Sequence, residues 1–247
     1  MRVTRVHVDT PLAAQSSVLL PAGPARHLAR VLRLGAGDVL RLFNGRGGEF
    51  DATIETVQRD EVTVQVGAHH AIERESPLAI TLLQGIARGE KMDLILQKAT
   101  ELGVTAIVPL TMARSTVRLD AKSAAAKQQH WQAVVISACE QCGRNTVPAV
   151  HAPQSLAQAL SASPHGLNLI LRPEDKAATL PQLLEQPAPN PTIHLLVGPE
   201  GGFDPAESAA AQQAGFRPCR LGPRVLRTET AGLATLAALQ TLAGDLR

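Results

Sequence analysis

The sequence predicts an α/β protein in two parts, a small β-barrel followed by a larger domain built on a parallel sheet. Three observations predict it. Residues 1–74 hold short alternating stretches separated by turn residues, the pattern of a small barrel. From Leu78 onward strand-like and helix-like stretches alternate, which argues a parallel sheet covered by helices. Near the C-terminus the apolar run Ile193 to Val197 meets Gly198-Pro199-Glu200-Gly201-Gly202-Phe203 and then Asp204-Pro205-Ala206-Glu207. The last four residues form a helix start: an N-cap acid, a proline at the first helical position and a glutamate at the third. Strand, glycine turn and helix N-terminus in succession is how open α/β sheets build ligand sites at strand ends.

In the first part, Arg2 to Val8 alternates as a strand. Pro21 to Leu34 looks helical, with Leu28, Val31 and Leu32 as one apolar stripe and Arg26, Arg30 and Arg33 on another face. Gly37 to Phe43 is a strand, Asn44 to Gly48 a hairpin loop opened by Asn-Gly, and Glu49 to Val57 the partner strand. Glu61 to Val66 follows the polar turn Gln58-Arg59-Asp60. Five arginines (Arg26, Arg30, Arg33, Arg41, Arg46) stand between residues 22 and 46 against one acid, Asp38. That basic stretch is either a solvated face or a surface that holds phosphates without reading sequence. The polar segment His69 to Pro77 is the expected boundary, dividing the chain into 1–74 and 75–247.

In the second part, Leu78 to Leu83 is a strand and Gly89 to Leu102 an amphipathic helix with Met92, Ile95, Leu96, Ala99 and Leu102 buried. Thr105 to Leu110 is the next strand, followed by the polar loop Arg114 to Arg118. Ala121 to Cys142 is a long helix with Trp131, Val135 and Ala138 inward. Gln154 to Ala162 reads as helix, Leu167 to Leu171 as a buried strand, Leu180 to Glu185 as a short helix, and Gln186 to Pro191 as a Pro-rich loop. After the Ile193 to Val197 strand come a capped helix to Ala214, a strand around Arg217 to Leu221, and a last helix from about Thr230 to Ala243. That helix is rich in small residues, which suits close packing within or between chains.

Composition narrows the function. The 247 residues are 45% hydrophobic and carry a net charge of only +2. A polybasic coat for nucleic acid is excluded, but a locally basic site is not. Aromatics are 2% of the chain, so stacking on aromatic rings cannot be the main way of holding bases. Cys139, Cys142 and Cys219 are an odd count without framework spacing; no metal site is expected, and a reducing compartment is. No signal-peptide core and no run near the ~20 apolar residues of a membrane span is present, so a soluble, cytoplasmic protein is expected. GxGxxG after a strand, GxxxxGK[ST], HExxH and GxSxG are all missing.

A second glycine loop, Leu221-Gly222-Pro223-Arg224-Val225-Leu226-Arg227-Thr228-Glu229-Thr230-Ala231, stands about twenty residues after the first. With it go His27-Leu28-Ala29-Arg30-Val31-Leu32-Arg33, Gln97-Lys98-Ala99-Thr100-Glu101-Leu102-Gly103-Val104 and Glu140-Gln141-Cys142-Gly143-Arg144, the last with Cys142 where a serine is expected. Together these resemble the SPOUT superfamily of S-adenosylmethionine-dependent RNA methyltransferases. The match is nearest to the family that methylates N3 of a uridine in 16S ribosomal RNA of the small subunit. The resemblance spans both parts in the right order; the two glycine loops are its specific motifs.

The resemblance implies a PUA-like barrel, then a SPOUT α/β domain with a trefoil knot, acting as a homodimer. It implies one S-adenosylmethionine held by Leu171, Leu196, Gly198, Glu200, Gly201, Leu221, Gly222, Leu226 and Thr228. The cofactor brings the methyl group and the protein orients it. The imide N3 of uridine is a poor nucleophile until it loses its proton, so the site must supply a base or a cation for the anion. Arg227 is the expected cation, although it could instead pair with Glu200. Glu229 is the expected base or orienting group, or simply a first-turn acid facing the helix dipole. Thr228 could cap the last helix. RNA contacts are expected from Arg2, Arg5, Arg30, Arg33 and Arg46 in the barrel and from Lys91, Lys98, Arg114 and Arg144 in the catalytic domain. The competing readings keep the fold with a ribose 2′-hydroxyl or a tRNA base as target, or make the chain a silent RNA-binding assembly factor.

Overall fold

The computed structural model describes residues 3–162, 166–174, 177–185 and 192–246. Arg2 and the Gln186 to Pro191 loop lie outside the described residues. The chain divides into two compact units, Met1–Glu75 with Cys139–Val147, and Ser76–Ala138 with Pro148–Arg247. The short segment 139–147 therefore belongs to the first unit, although it lies deep in the sequence of the second.

The first unit is a five-stranded sheet built from β1 (Thr4–His7), β2 (Ser17–Leu19), β3 (Val39–Phe43), β4 (Glu49–Gln58) and β5 (Glu61–His70). Their spatial order is β1-β3-β4-β5-β2. The β3–β4 hairpin turns at Gly45, Gly47 and Gly48, all at positive φ, where a side chain would be strained. Alternation buries Val62, Val64 and Val66 of β5 together with Leu40, Leu42 and Ile54.

The helical stretch between β2 and β3 differs from the expected one. A single α-helical turn, α1 (Ala22–Arg26), runs into a π-turn over His27–Val31. There Leu32 N–H bonds back to His27 O, 3.0 Å away. The wider turn breaks the i, i+3, i+4 rule. Leu28 stays buried, but Val31 and Leu32 are 66% and 39% exposed, and the expected stripe is lost. They stand on the surface among Arg26, Arg30 and Arg33, which are exposed as well.

The second unit is an eight-stranded sheet whose strand pairs, among the described residues, are all parallel. Its elements are β6 (Ala79–Gly85), α2 (Glu90–Glu101), β7 (Ala106–Thr111), α3 (Ala121–Cys142, its last turn in the first unit), β8 (Ala149–Val150), β9 (Gln154–Ser155), α4 (Leu156–Ala162), β10 (Leu167–Leu171), β11 (Ala178–Thr179), α5 (Leu180–Leu184), β12 (Thr192–Val197), α6 (Pro205–Gln213), β13 (Arg217–Arg220) and α7 (Thr228–Ala243). The strand order is β11-β13-β10-β12-β6-β7-β8, with β9 also on β7. Gln154 and Ser155 are extended rather than helical. They pair with Leu110 and Thr111, and Ser155 then caps α4 by exchanging hydrogen bonds with Gln158.

Both faces of the sheet are covered, which accounts for the uninterrupted apolar strands. On one face Leu83, Val108, Leu110, Ile170 and Leu196 pack with Leu156, Ala159, Ala211 and Phe216. On the other, α7 lies close: a Cβ on Gly232 would stand 3.4 Å from Val197 Cγ2 and 3.8 Å from Leu82 Cδ1. The small residues of α7 thus serve packing within the chain at this point. At its far end buried Gln240 accepts from Ser76 Oγ at 2.7 Å and donates to Leu102 O at 2.9 Å, tying α7 to the end of α2. Among the described residues no helix is long and apolar enough to cross a membrane.

Candidate active site

Three strands of the parallel sheet, β10, β12 and β13, end side by side, and the loops that leave them enclose a cavity of about 610 Å³, within the ~300–1,000 Å³ of small-ligand pockets. Leu171 to Glu174 come from the end of β10, Val197 to Glu200 with Gly202 and Phe203 from β12, and Leu221, Gly222 and Arg224 to Arg227 from β13. Thr228, Glu229 and Ala231 of α7 close it, with Lys91 of α2 and Arg114 beyond β7. A proline stands two or three residues past each strand end: Pro173 after β10, Pro199 after β12 and Pro223 after β13. Gly198-Pro199 interrupts β12, proline lacking the ladder donor. Asp204 then starts α6 with the expected capping box, accepting from Ala206 N–H while Glu207 receives the Asp204 N–H at 3.0 Å.

The two glycine loops meet directly. Thr228 Oγ1 donates to Gly198 O at 2.6 Å and accepts from Gln84 Nε2 at 3.0 Å. Thr228 is therefore not the cap of the last helix. Arg227 holds the N-cap position without a side-chain bond, and Thr228 is the first helical residue.

The polar groups are arranged around Lys91. Its Nζ lies 3.4 Å from Glu229 Oε1 and 3.8 Å from Glu200 Oε1, and Glu200 also accepts from Arg88 N–H at 2.9 Å. Glu200 is thus committed to Lys91 and Arg88, not to Arg227. Arg227 is exposed on the cavity rim, and among the described residues no salt bridge is found for it. The backbone N–H of Glu229 itself, and then Lys91, hold the Glu229 carboxyl below the usual carboxylate range. A carboxylate so stabilised is a weak base near neutral pH; of the two roles expected of Glu229, base or orienting group, its contact with Lys91 is of the second kind. Its Oε2 is buried and, among the described residues, lacks a hydrogen-bond partner.

Of the residues expected around a cofactor, Leu171, Gly198, Glu200, Leu221, Gly222, Leu226 and Thr228 line the cavity. Leu196 and Gly201 do not. Leu196 is fully buried in the sheet core, its side chain on the α4–α6 face. Gly201 is a glycine for a different reason, since a Cβ there would stand 2.8 Å from Arg114 O. Arg172, Pro173, Glu174, Phe203, Arg224 and Val225 also line the cavity and were not singled out from sequence. Phe203, Arg224 and Val225 stand within the glycine-loop motifs themselves, whereas Arg172, Pro173 and Glu174 follow a strand end with no motif to mark them. Cys219 lies on the cavity wall with its thiol pushed up to about 11 by burial. It should stay unlabelled by iodoacetamide at neutral pH in the folded protein; rapid alkylation in a mass-spectrometric assay would contradict that closed wall.

The expected RNA-contacting residues divide into free and occupied ones. Arg5 is buried, bonded to Glu49, to Arg144 O at 3.0 Å and to Asn145 Oδ1 at 2.6 Å. Arg144 is buried against Glu75. Both are structural ties of the first unit and cannot reach RNA as placed. Arg30 pairs with Asp60 but remains 65% exposed, and Arg33 and Arg46 are exposed. Lys98 is paired to Glu101, and Lys91 and Arg114 line the cavity. Among the described residues no group of acids, histidines and cysteines could hold a metal.

Comparison with known proteins gives this arrangement its setting. Residues 74–240 match a family model described as an RNA methyltransferase domain, and residues 24–67 one described as an RNA methyltransferase PUA domain. The chain is 33% identical over 245 residues to the ribosomal RNA small subunit methyltransferase E of Buchnera aphidicola, covering 99% of this chain and 98% of that protein. The chain belongs to the ribosomal RNA small subunit methyltransferase E family.

Two solved members of this fold extend the likeness over whole chains. The small subunit methyltransferase E of Neisseria gonorrhoeae, bound to S-adenosylmethionine, is 40% identical with a TM-score of 0.93 and full coverage of both chains. A Legionella pneumophila protein described as a methyltransferase, with bound cofactor SAM, is 39% identical with a TM-score of 0.95, also over both chains entirely. The outline expected from sequence, a PUA-like unit before an α/β unit with a parallel sheet, is the one observed.

Proposed function

We propose that this protein transfers a methyl group from S-adenosylmethionine to N3 of a uridine in 16S ribosomal RNA of the small subunit. The observation that carries the reading is the cavity where the Gly198 and Leu221 loops meet, tied by Thr228. Its chemistry suits the adenosyl group: Leu171, Val197, Leu221 and Leu226 offer apolar walls, while loop backbone offers polar contacts. When bound there, S-adenosylmethionine supplies the electrophilic methyl.

The chain's residues do the rest. Arg227, on the rim with no ion pair found among the described residues, stabilises the negative charge left as N3 gives up its proton to solvent water. Glu229 stays ionised and, with Glu200, fixes the Lys91 ammonium at the cavity wall. Arg33 and Arg46, with Arg30, form the RNA-facing surface of the PUA-like unit, positioning phosphates. Val31 and Leu32, exposed beside Arg30 and Arg33 by the π-turn, add apolar contact there. In the same reading the protein is a cytoplasmic homodimer whose C-terminal unit is knotted, knots being among the rare exceptions of protein topology.

The test is methyl transfer from labelled S-adenosylmethionine to small ribosomal subunits from a strain lacking the enzyme, with nucleoside analysis of the product. The expected product is 3-methyluridine. A ribose-methylated nucleoside would overturn the target atom, and failure to bind S-adenosylmethionine would overturn the enzyme reading.

A further inference from the structure

We propose that Gln84, the penultimate residue of β6, is a positioning residue for the cofactor loops: its buried amide fixes the direction of the hydrogen bonds that tie Gly198 to Thr228. The inference rests on the reading that this cavity binds S-adenosylmethionine.

Gln84 is fully buried and does not itself line the cavity. Its Nε2 donates to Gly85 O at 2.9 Å and to Thr228 Oγ1 at 3.0 Å. The reverse amide orientation would set two oxygens against each other at Gly85, so the nitrogen must occupy this place. Thr228 has a single hydroxyl proton. With Oγ1 accepting from Gln84, that proton goes to Gly198 O at 2.6 Å. The relay therefore runs one way, from Gln84 through Thr228 to Gly198.

Its end point is the only handle available. The Gly198–Pro199 peptide has no N–H, so the Gly198 carbonyl alone can anchor it. The strand end beneath leaves no slack, because a Cβ on Gly85 would fall 2.5 Å from Pro199 N and 2.9 Å from Gly198 C. Gly198, Pro199 and Thr228 all line the cavity. The relay thus sets the spacing of the two loops that would grip the adenosyl group.

A purely structural role does not account for a glutamine here. Gln84 Oε1 is buried and accepts no hydrogen bond among the described residues, a loss of stability that an apolar side chain of similar volume would avoid. What the amide provides at that cost is its nitrogen's two hydrogen bonds.

The test compares Gln84→Met, Thr228→Val and Thr228→Ser with the wild-type protein by calorimetric titration of S-adenosylmethionine, steady-state kinetics and thermal melting. Gln84→Met is expected to melt at the same or a higher temperature. It should bind S-adenosylmethionine about tenfold more weakly, the effect of losing one buried hydrogen bond. KM for the cofactor rises by the same factor, while kcat at saturating cofactor and KM for the ribosomal substrate stay within about twofold. Thr228→Val should copy it, Thr228→Ser should keep wild-type affinity, and the double variant Q84M/T228V should be no weaker than either single one. Wild-type cofactor affinity in Gln84→Met overturns the proposal, as does a lowered melting temperature with both KM values rising together. A wild-type protein that fails to bind S-adenosylmethionine overturns the functional reading, and this inference with it.

Discussion

Arg227→Ala is expected to lower kcat about 100- to 1,000-fold, the usual effect of removing one preorganised group from a developing anion, with S-adenosylmethionine affinity changed by less than about threefold. The reason is placement. Arg227 is exposed on the cavity rim, and no salt bridge is found for it among the described residues, whereas Glu200, its alternative partner, is taken by Lys91 and Arg88. The Glu229 carboxylate feels the Arg227 charge, but no salt bridge between them is found among the described residues, so the guanidinium can meet charge that appears only during reaction. Single-turnover methylation of small subunits, alongside cofactor titration, separates the two constants. A variant with normal kcat would remove Arg227 from the chemistry; one with normal kcat and weak cofactor binding would reassign it to the ground state.

Gly201→Val is expected to weaken S-adenosylmethionine binding about 100-fold and to lower the melting temperature, with folding retained. The cause is indirect, because Gly201 does not line the cavity. A Cβ there would stand 2.8 Å from Arg114 O and 2.9 Å from Arg114 Cβ, and backbone on both sides must move. Overpacking of this kind costs about 1–3 kcal/mol in stability. The displaced loop also carries Gly198 to Glu200 away from the cavity wall. Gly201→Ala places the same Cβ and should show the same direction with smaller amplitude. Normal affinity in both variants, with the melting temperature lowered, would show that the Arg114 contact serves stability alone.

Local signals in the sequence determined a good part of this protein. Asp204-Pro205-Ala206-Glu207 starts a helix because cap, proline and capping box act within four residues. Met92, Ile95, Leu96 and Ala99 are buried as their spacing required. The hairpin at Asn44-Gly45 forms where Asn-Gly directs it. The two glycine loops picked out in the sequence line the cavity.

Only the tertiary structure decided the rest, because the deciding partners are remote in sequence. The spacing of Leu28, Val31 and Leu32 promised a buried stripe, and a π-turn that no periodicity encodes turned two of them outward. Arg5 and Arg144 read as free cations until Glu49, Asn145 and Glu75 were found against them. Glu229 read as base, orienting group or dipole partner, and only the fold shows its own backbone N–H and then Lys91 lowering the proton affinity of its carboxyl. Gln84 carried no signal at all: a lone polar residue at a strand end is significant only once Thr228 and Gly198 converge on it. Helix caps and hairpins are settled by neighbours a few residues away, whereas pairing, burial and proton affinity depend on which distant side chains the fold brings within hydrogen-bond reach.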